Sequence, residues 1–125
     1  MKNNYNSIAE NYSEWAFNLK NNDIPESVQQ KLQIIVMDSI GLMASAKKEP
    51  YIVSLIDALK EIGDCVLVGH EHKTSPFNAS IINGTSVHGE DFDDTFEGTP
   101  VHVGAVMVPA MLSVCLLYTS DAADE

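Results

Sequence analysis

The sequence predicts a mainly α-helical chain with one short extended segment, on three observations. Apolar residues recur at the three- and four-residue spacing of a helix in four or five separate stretches. Helix-start signals precede three of them, namely Ser7 with Glu10, Pro25, and Ser75 with Pro76. Only Val66-Leu67-Val68 reads as extended, and it stops at Gly69.

Each element can be justified in order. Ser7-Ile8-Ala9-Glu10 fits a capping box, and Ile8, Tyr12, Trp15, Ala16 and Leu19 then share one helical stripe. Lys20-Asn21-Asn22-Asp23 reads as a turn. Pro25 suits the first turn of a second helix, along which Val28, Leu32, Ile35, Val36, Ser39, Ile40 and Met43 repeat as far as about Ala46. Its wide apolar arc predicts burial on more than one side, with Gly41 allowing close packing. A third helix is expected from Tyr51 to Ile62, with Ile52, Leu55, Ile56 and Leu59 inward and Gly63 as its terminal cap. After the extended segment, His70-Glu71-His72-Lys73 reads as a solvated polar loop rather than a metal pair. Ser75-Pro76 starts a fourth helix carrying Phe77, Ala79, Ile81, Ile82 and Val87. A last helix starts near Val103 and carries Val106, Met107 and Ala110.

The totals exclude several function classes. The chain has 125 residues, enough for one domain, and is 45% apolar and 20% charged, which is ordinary for a globular protein. Its net charge of −11 disfavours nucleic acid and anionic membrane surfaces. All seven basic residues are lysine, so the bidentate arginine clamp for carboxylate or phosphate is missing. Two widely spaced cysteines support neither a disulfide framework nor a metal clip. The apolar runs are too short to span a bilayer, and Met1 to Tyr5 lacks the apolar core of a signal peptide. A cytoplasmic location is the expectation.

Chemistry concentrates in one stretch. Five of the eighteen acidic residues fall between Glu90 and Glu97, and His88 and His102 bracket them. Packing like charges this closely costs stability, a cost most often tolerated where carboxylates do chemistry or hold a cation. If helix continues past Gly84, His88, Asp91 and Thr95 share a face, Asp93 and Asp94 point elsewhere, and His102 enters from the next helix. A histidine, a carboxylate and a hydroxyl converging on one pocket can move a proton on and off carbon. The plain alternative is a solvated acidic turn. Two other chemistries fit part of the pattern. Asp91-Phe92-Asp93-Asp94-Thr95 matches the D-x-D-x-T nucleophile loop of dehalogenase-type phosphatases, but that loop should follow a buried strand. The same carboxylates could make a small acidic helical module that binds a divalent cation, although the EF-hand spacing is missing.

The ordered set of motifs resembles the MmgE/PrpD family, which includes 2-methylcitrate dehydratase, cis-aconitate decarboxylase and iminodisuccinate epimerase. Ile24-Pro25 followed by a helix ending Met37-Asp38-Ser39-Ile40-Gly41 resembles the family's "iP…llDtlG" opening. Ala79 through Asn83-Gly84-Thr85, His88 and Asp91-Phe92-Asp93-Asp94-Thr95 resembles its "N-G-t…H-a-x-D-F-D-D-T" signature. His102-Val103-Gly104 with Val108-Pro109-Ala110 resembles "H-P-G…P-A", with valine in place of the usual proline. Gly89-Glu90 replace small or apolar residues, which puts an extra charge beside Asp91.

The resemblance implies a piece of a larger helical domain from a cofactor-independent lyase or isomerase. Such enzymes form homodimers and move a proton at the carbon beside a carboxylate of a small di- or tricarboxylate. Losing water, losing CO₂ or epimerising are the three outcomes. By position, Asp91, Thr95 and His102 correspond to catalytic residues. His102 would donate or accept the proton, Asp91 would orient it or the substrate, and Thr95 would hold a substrate carboxylate. His88 and Asn83 are candidates for the substrate pocket, and no metal is implied.

The domain expectation is therefore residues 1–114 as an incomplete N-terminal part of that helical domain, lacking the partners of its apolar faces and inactive alone. Residues 115–125, Cys115 to Glu125, have no place in the family pattern. They resemble the in-frame translation of a transposase adapter used in sequencing libraries, and are expected to be a cloning scar.

Overall fold

The computed structural model describes residues 6–121, with side chains as far as residue 115. Met1 to Tyr5 and the last four positions of the expected tail lie outside the described residues. The described chain is mainly helical, as expected. It divides into two compact units, residues 1–32 and 33–125, with the boundary inside the second helix.

In the first unit, α1 (Ile8–Asn18) begins on the capping box that the sequence announces. Ser7 Oγ accepts from the Glu10 amide at 3.2 Å, and the Ser7 amide donates to Glu10 Oε2 at 2.7 Å. Two orphan donors of the helix start are satisfied reciprocally. The apolar stripe of α1 is exposed, and none of its residues is buried. Tyr12 and Trp15 rest on each other, ring centroids 5.4 Å apart. Asn21–Asp23 is a 3₁₀ turn, closed by the Lys20 amide donating to Asp23 Oδ2 at 3.0 Å.

Helix α2 (Glu26–Ser45) starts directly after Pro25 and crosses the unit boundary. The expectation of burial on several sides is not met: only Ser39 and Met43 are buried, while Ile34, Met37 and Ile40 face water. The second unit offers partners to one stripe alone. There Ile35, Leu42 and Met43 pack with Val68, Val87, Ala105, Val108 and Leu112.

Helix α3 (Pro50–Ala58) is shorter than expected, and Leu59 rather than Gly63 is its cap. The chain leaves the helix early to form β1 (Cys65–Val66), which pairs antiparallel with β2 (Lys73–Thr74), a strand that the polar loop conceals. Gly63 serves close approach instead, since a Cβ there would lie 2.5 Å from the Thr74 carbonyl. Ile52, Cys65, Leu67, Ala79 and Ile82 form a second core beneath this ribbon.

Helix α4 (Pro76–His88) starts where Ser75 and Pro76 predict, with Ser75 Oγ accepting from the Asn78 amide at 3.4 Å. Ala79, Ile82 and Val87 are buried as expected, whereas Phe77 and Ile81 are exposed. Helix α5 (Val103–Asp121) packs closely on α4. A Cβ on Gly84 would stand 3.0 Å from the Ala105 carbonyl oxygen. That oxygen lacks its ordinary partner within the helix because residue 109, four further on, is proline. Gly84 and Pro109 together therefore set the close contact of the two helices. Among the described residues no helix is long and apolar enough to cross a membrane.

Candidate active site

Two helix ends and the loop between them build the site. His88 is the last residue of α4, and His102 immediately precedes α5. Gly89 ends α4 with its amide bonded to the Thr85 carbonyl at 2.9 Å. The Asp91 amide then returns to the His88 carbonyl at 2.9 Å. Asp91 holds a positive φ of 57°, a conformation that aspartate tolerates better than most residues. The chain has left the helical path, so His88, Asp91 and Thr95 do not share a helical face. Further along, Phe96 and Val101 close a small loop through an N–H···O bond of 2.9 Å. Asp94 Oδ1 accepts from the Gly104 amide at 2.8 Å and so caps the start of α5. Gly104 leaves room for this contact, since a Cβ there would displace that carboxylate.

This path turns Asp93 inward, contrary to the expectation that it points elsewhere. Its side chain is 1% exposed and lies between the two imidazoles. Asp93 Oδ1 is 3.1 Å from His88 Nδ1 and 3.2 Å from His102 Nδ1. The His88 contact has hydrogen-bond geometry to both carboxylate oxygens, at 3.1 and 3.3 Å. An ionised carboxylate only accepts, so with Asp93 ionised the proton of this bond sits on His88 Nδ1. His102 Nδ1 is buried and has no hydrogen bond despite its proximity to Asp93. Its Nε2 lies 3.9 Å from Asp91 Oδ1. The two rings meet nearly edge to face, centroids 4.6 Å apart.

Both rings line an open cleft of about 560 Å³, whose walls include Thr85, Pro100, Val101 and Val106. Behind it, Tyr51 donates its hydroxyl to Glu90 Oε1 at 3.1 Å. Gly89 leaves room for that ring, since a Cβ at 89 would strike it. Burial, and after it the Glu90 carboxylate, push the Tyr51 hydroxyl above its ordinary pKa.

The structure brings His88, Asp91 and His102 together and sets the other two site residues apart. Asn83 is buried with its amide turned to β1, accepting from the Val68 amide and donating to the Val66 carbonyl, both at 3.1 Å. Thr95 is exposed on the loop and is not among the residues lining the cleft. The phosphatase-type reading of Asp91 to Thr95 fails, because a helix and not a buried strand leads into Asp91. Asp93 is the residue that sequence reasoning missed. Gly89 was the available signal, as a helix-ending glycine that breaks the phase counted through it.

Comparisons with known proteins agree with the motif order. Residues 10–121 match the MmgE/PrpD N-terminal domain. Across 102 residues the chain is 28% identical to the cis-aconitate decarboxylase-like protein oryM of Aspergillus oryzae. It is 24% identical over the same length to cis-aconitate decarboxylase of Aspergillus terreus. Each match covers 79% of this chain and 21% of the relative, so the chain spans about a fifth of the relatives' length. No solved structure matches. On the extent of the domain match, this chain belongs to the MmgE/PrpD family.

Proposed function

We propose that this chain is the N-terminal part of a cytoplasmic, homodimeric lyase or isomerase of the 2-methylcitrate dehydratase kind. The enzyme moves a proton at the carbon beside a carboxylate in a small di- or tricarboxylate. The observation carrying this reading is the His88–Asp93–His102 arrangement at the cleft, which holds two imidazoles on one buried carboxylate. Such a pair suits proton transfer, because one ring keeps its tautomer while the other faces the reactant.

In this reading His102 is the proton donor or acceptor and Asp91, 3.9 Å from its Nε2, orients it or the substrate. Thr95, exposed on the loop, hydrogen-bonds a substrate carboxylate that extends beyond the described cleft, and Asp93 fixes the rings. Alone, the chain is inactive. With lysine as its only ordinary cation, the described cleft lacks a clamp for two carboxylates. Exposed Val106, Met107 and Met111 on α5 also await apolar cover. Residues 1–114 supply the domain part, and 115–125 are read as the adapter-derived tail.

The test is His102→Ala in the complete parent enzyme, assayed against a panel of small di- and tricarboxylates. Turnover falls by at least about 100-fold with the far-ultraviolet circular dichroism unchanged. Ordinary activity in that variant overturns the assignment.

A further inference from the structure

We propose that His88, Asp93 and His102, with Asp91 as fourth donor, form a binding site for a divalent transition-metal ion of the zinc class. The four residues each place one ligand atom within 4.8 Å of the others. A tetrahedral ion with bonds of about 2.0–2.1 Å has ligand–ligand edges of roughly 3.3–3.4 Å. The two Asp93 edges, 3.1 Å to His88 Nδ1 and 3.2 Å to His102 Nδ1, are within about 0.3 Å of that spacing, and coordination at His88 Nδ1 releases the proton of its bond to Asp93 to solvent. Asp91 is 78% exposed on its turn and has room to close the remaining distance.

An independent observation points to a ligand. His102 Nδ1 is buried and has no hydrogen-bond partner, yet it lies 3.2 Å from a carboxylate oxygen. Burying such an atom unpaired is costly, and a cation between nitrogen and oxygen satisfies both. The donor set names the class of ion. Two imidazoles with carboxylates suit zinc and its neighbours, whereas calcium takes six to eight oxygens and magnesium keeps an octahedral oxygen shell. The helix ends hold His88 and His102 in place, and the Asp94 cap on Gly104 fixes the intervening loop. This proposal does not depend on the lyase reading. If both hold, the ion occupies the nitrogens through which the proton moves, and so opposes turnover.

The test titrates the chain with Zn(II) by calorimetry and with Co(II) by visible absorption. One ion binds per chain, and Co(II) shows tetrahedral bands without thiolate charge transfer. His102→Ala and His88→Gln each weaken binding by more than about 100-fold, since losing even an outer partner of a metal ligand costs 10–100-fold. A His70→Ala/His72→Ala double variant and Cys115→Ser bind as the parent chain does. Circular dichroism checks that each variant keeps its helices. Absence of saturable binding, or binding lost in the His70/His72 or Cys115 variants but not in the site variants, overturns the proposal. Turnover is never the readout, so failure of the metal site and failure of the lyase reading are separate results.

Discussion

His88 ends α4 and His102 sits just before α5, yet their rings stand 4.6 Å apart, and the same Asp93 oxygen is within 3.2 Å of both. One buried carboxylate thus links the end of α4 to the start of α5.

Asp93→Asn should loosen that link. The amide keeps the shape but loses the charge-assisted bond to His88, which is worth roughly 1.5–3 kcal/mol. Urea denaturation should report a stability loss in that range, whereas Asp91→Asn, on an exposed turn, should cost less than about 0.5 kcal/mol. Equal effects at the two positions would mean that Asp93 is not the anchor.

Asn83 tests a different part of the frame. Its amide makes two hydrogen bonds from α4, one to Val66 in β1 and one to Val68 just beyond it. Asn83→Ala leaves a donor at Val68 and an acceptor at Val66 without that partner. The expected cost is about 2–3 kcal/mol, read from the same denaturation curves. Hydrogen exchange at the Val68 amide should quicken in the variant.

Tyr51 gives an alkaline signature. Its hydroxyl is raised above 10.0 by burial and by Glu90, so the folded chain holds the phenolic proton longer than the unfolded chain does. Once the pH passes the ordinary value, the native state binds more protons and stability falls as pH rises. Below that value the term vanishes. Between about pH 9 and about pH 11 the denaturation midpoint should fall less in Tyr51→Phe than in the parent chain. Identical pH profiles would refute the role.

The helical frame was legible where short signals fix backbone geometry. Ser7 with Glu10, Pro25, and Ser75 with Pro76 each mark a helix start within a residue. The extended segment at Val66 was legible, but its partner strand Lys73–Thr74 was not, because two residues pairing through backbone groups carry no side-chain alternation to advertise them. Burial was legible only in part. Periodicity shows which face of α2 is apolar, but not whether a neighbour covers it. At the site, the histidines and Asp91 stand out by composition. Asp93 does not, because its inward turn depends on the loop after Gly89 rather than on any spacing.

The left-handed backbone at Asp91 complicates how that residue can be dissected. Alanine there would remove a carboxylate and also force a side chain into a conformation it avoids, so any lost activity would mix two causes. Asparagine shares aspartate's tolerance and isolates the charge. Glycine relaxes the turn while deleting the whole side chain. Read together, the three replacements separate geometry from electrostatics at a single position.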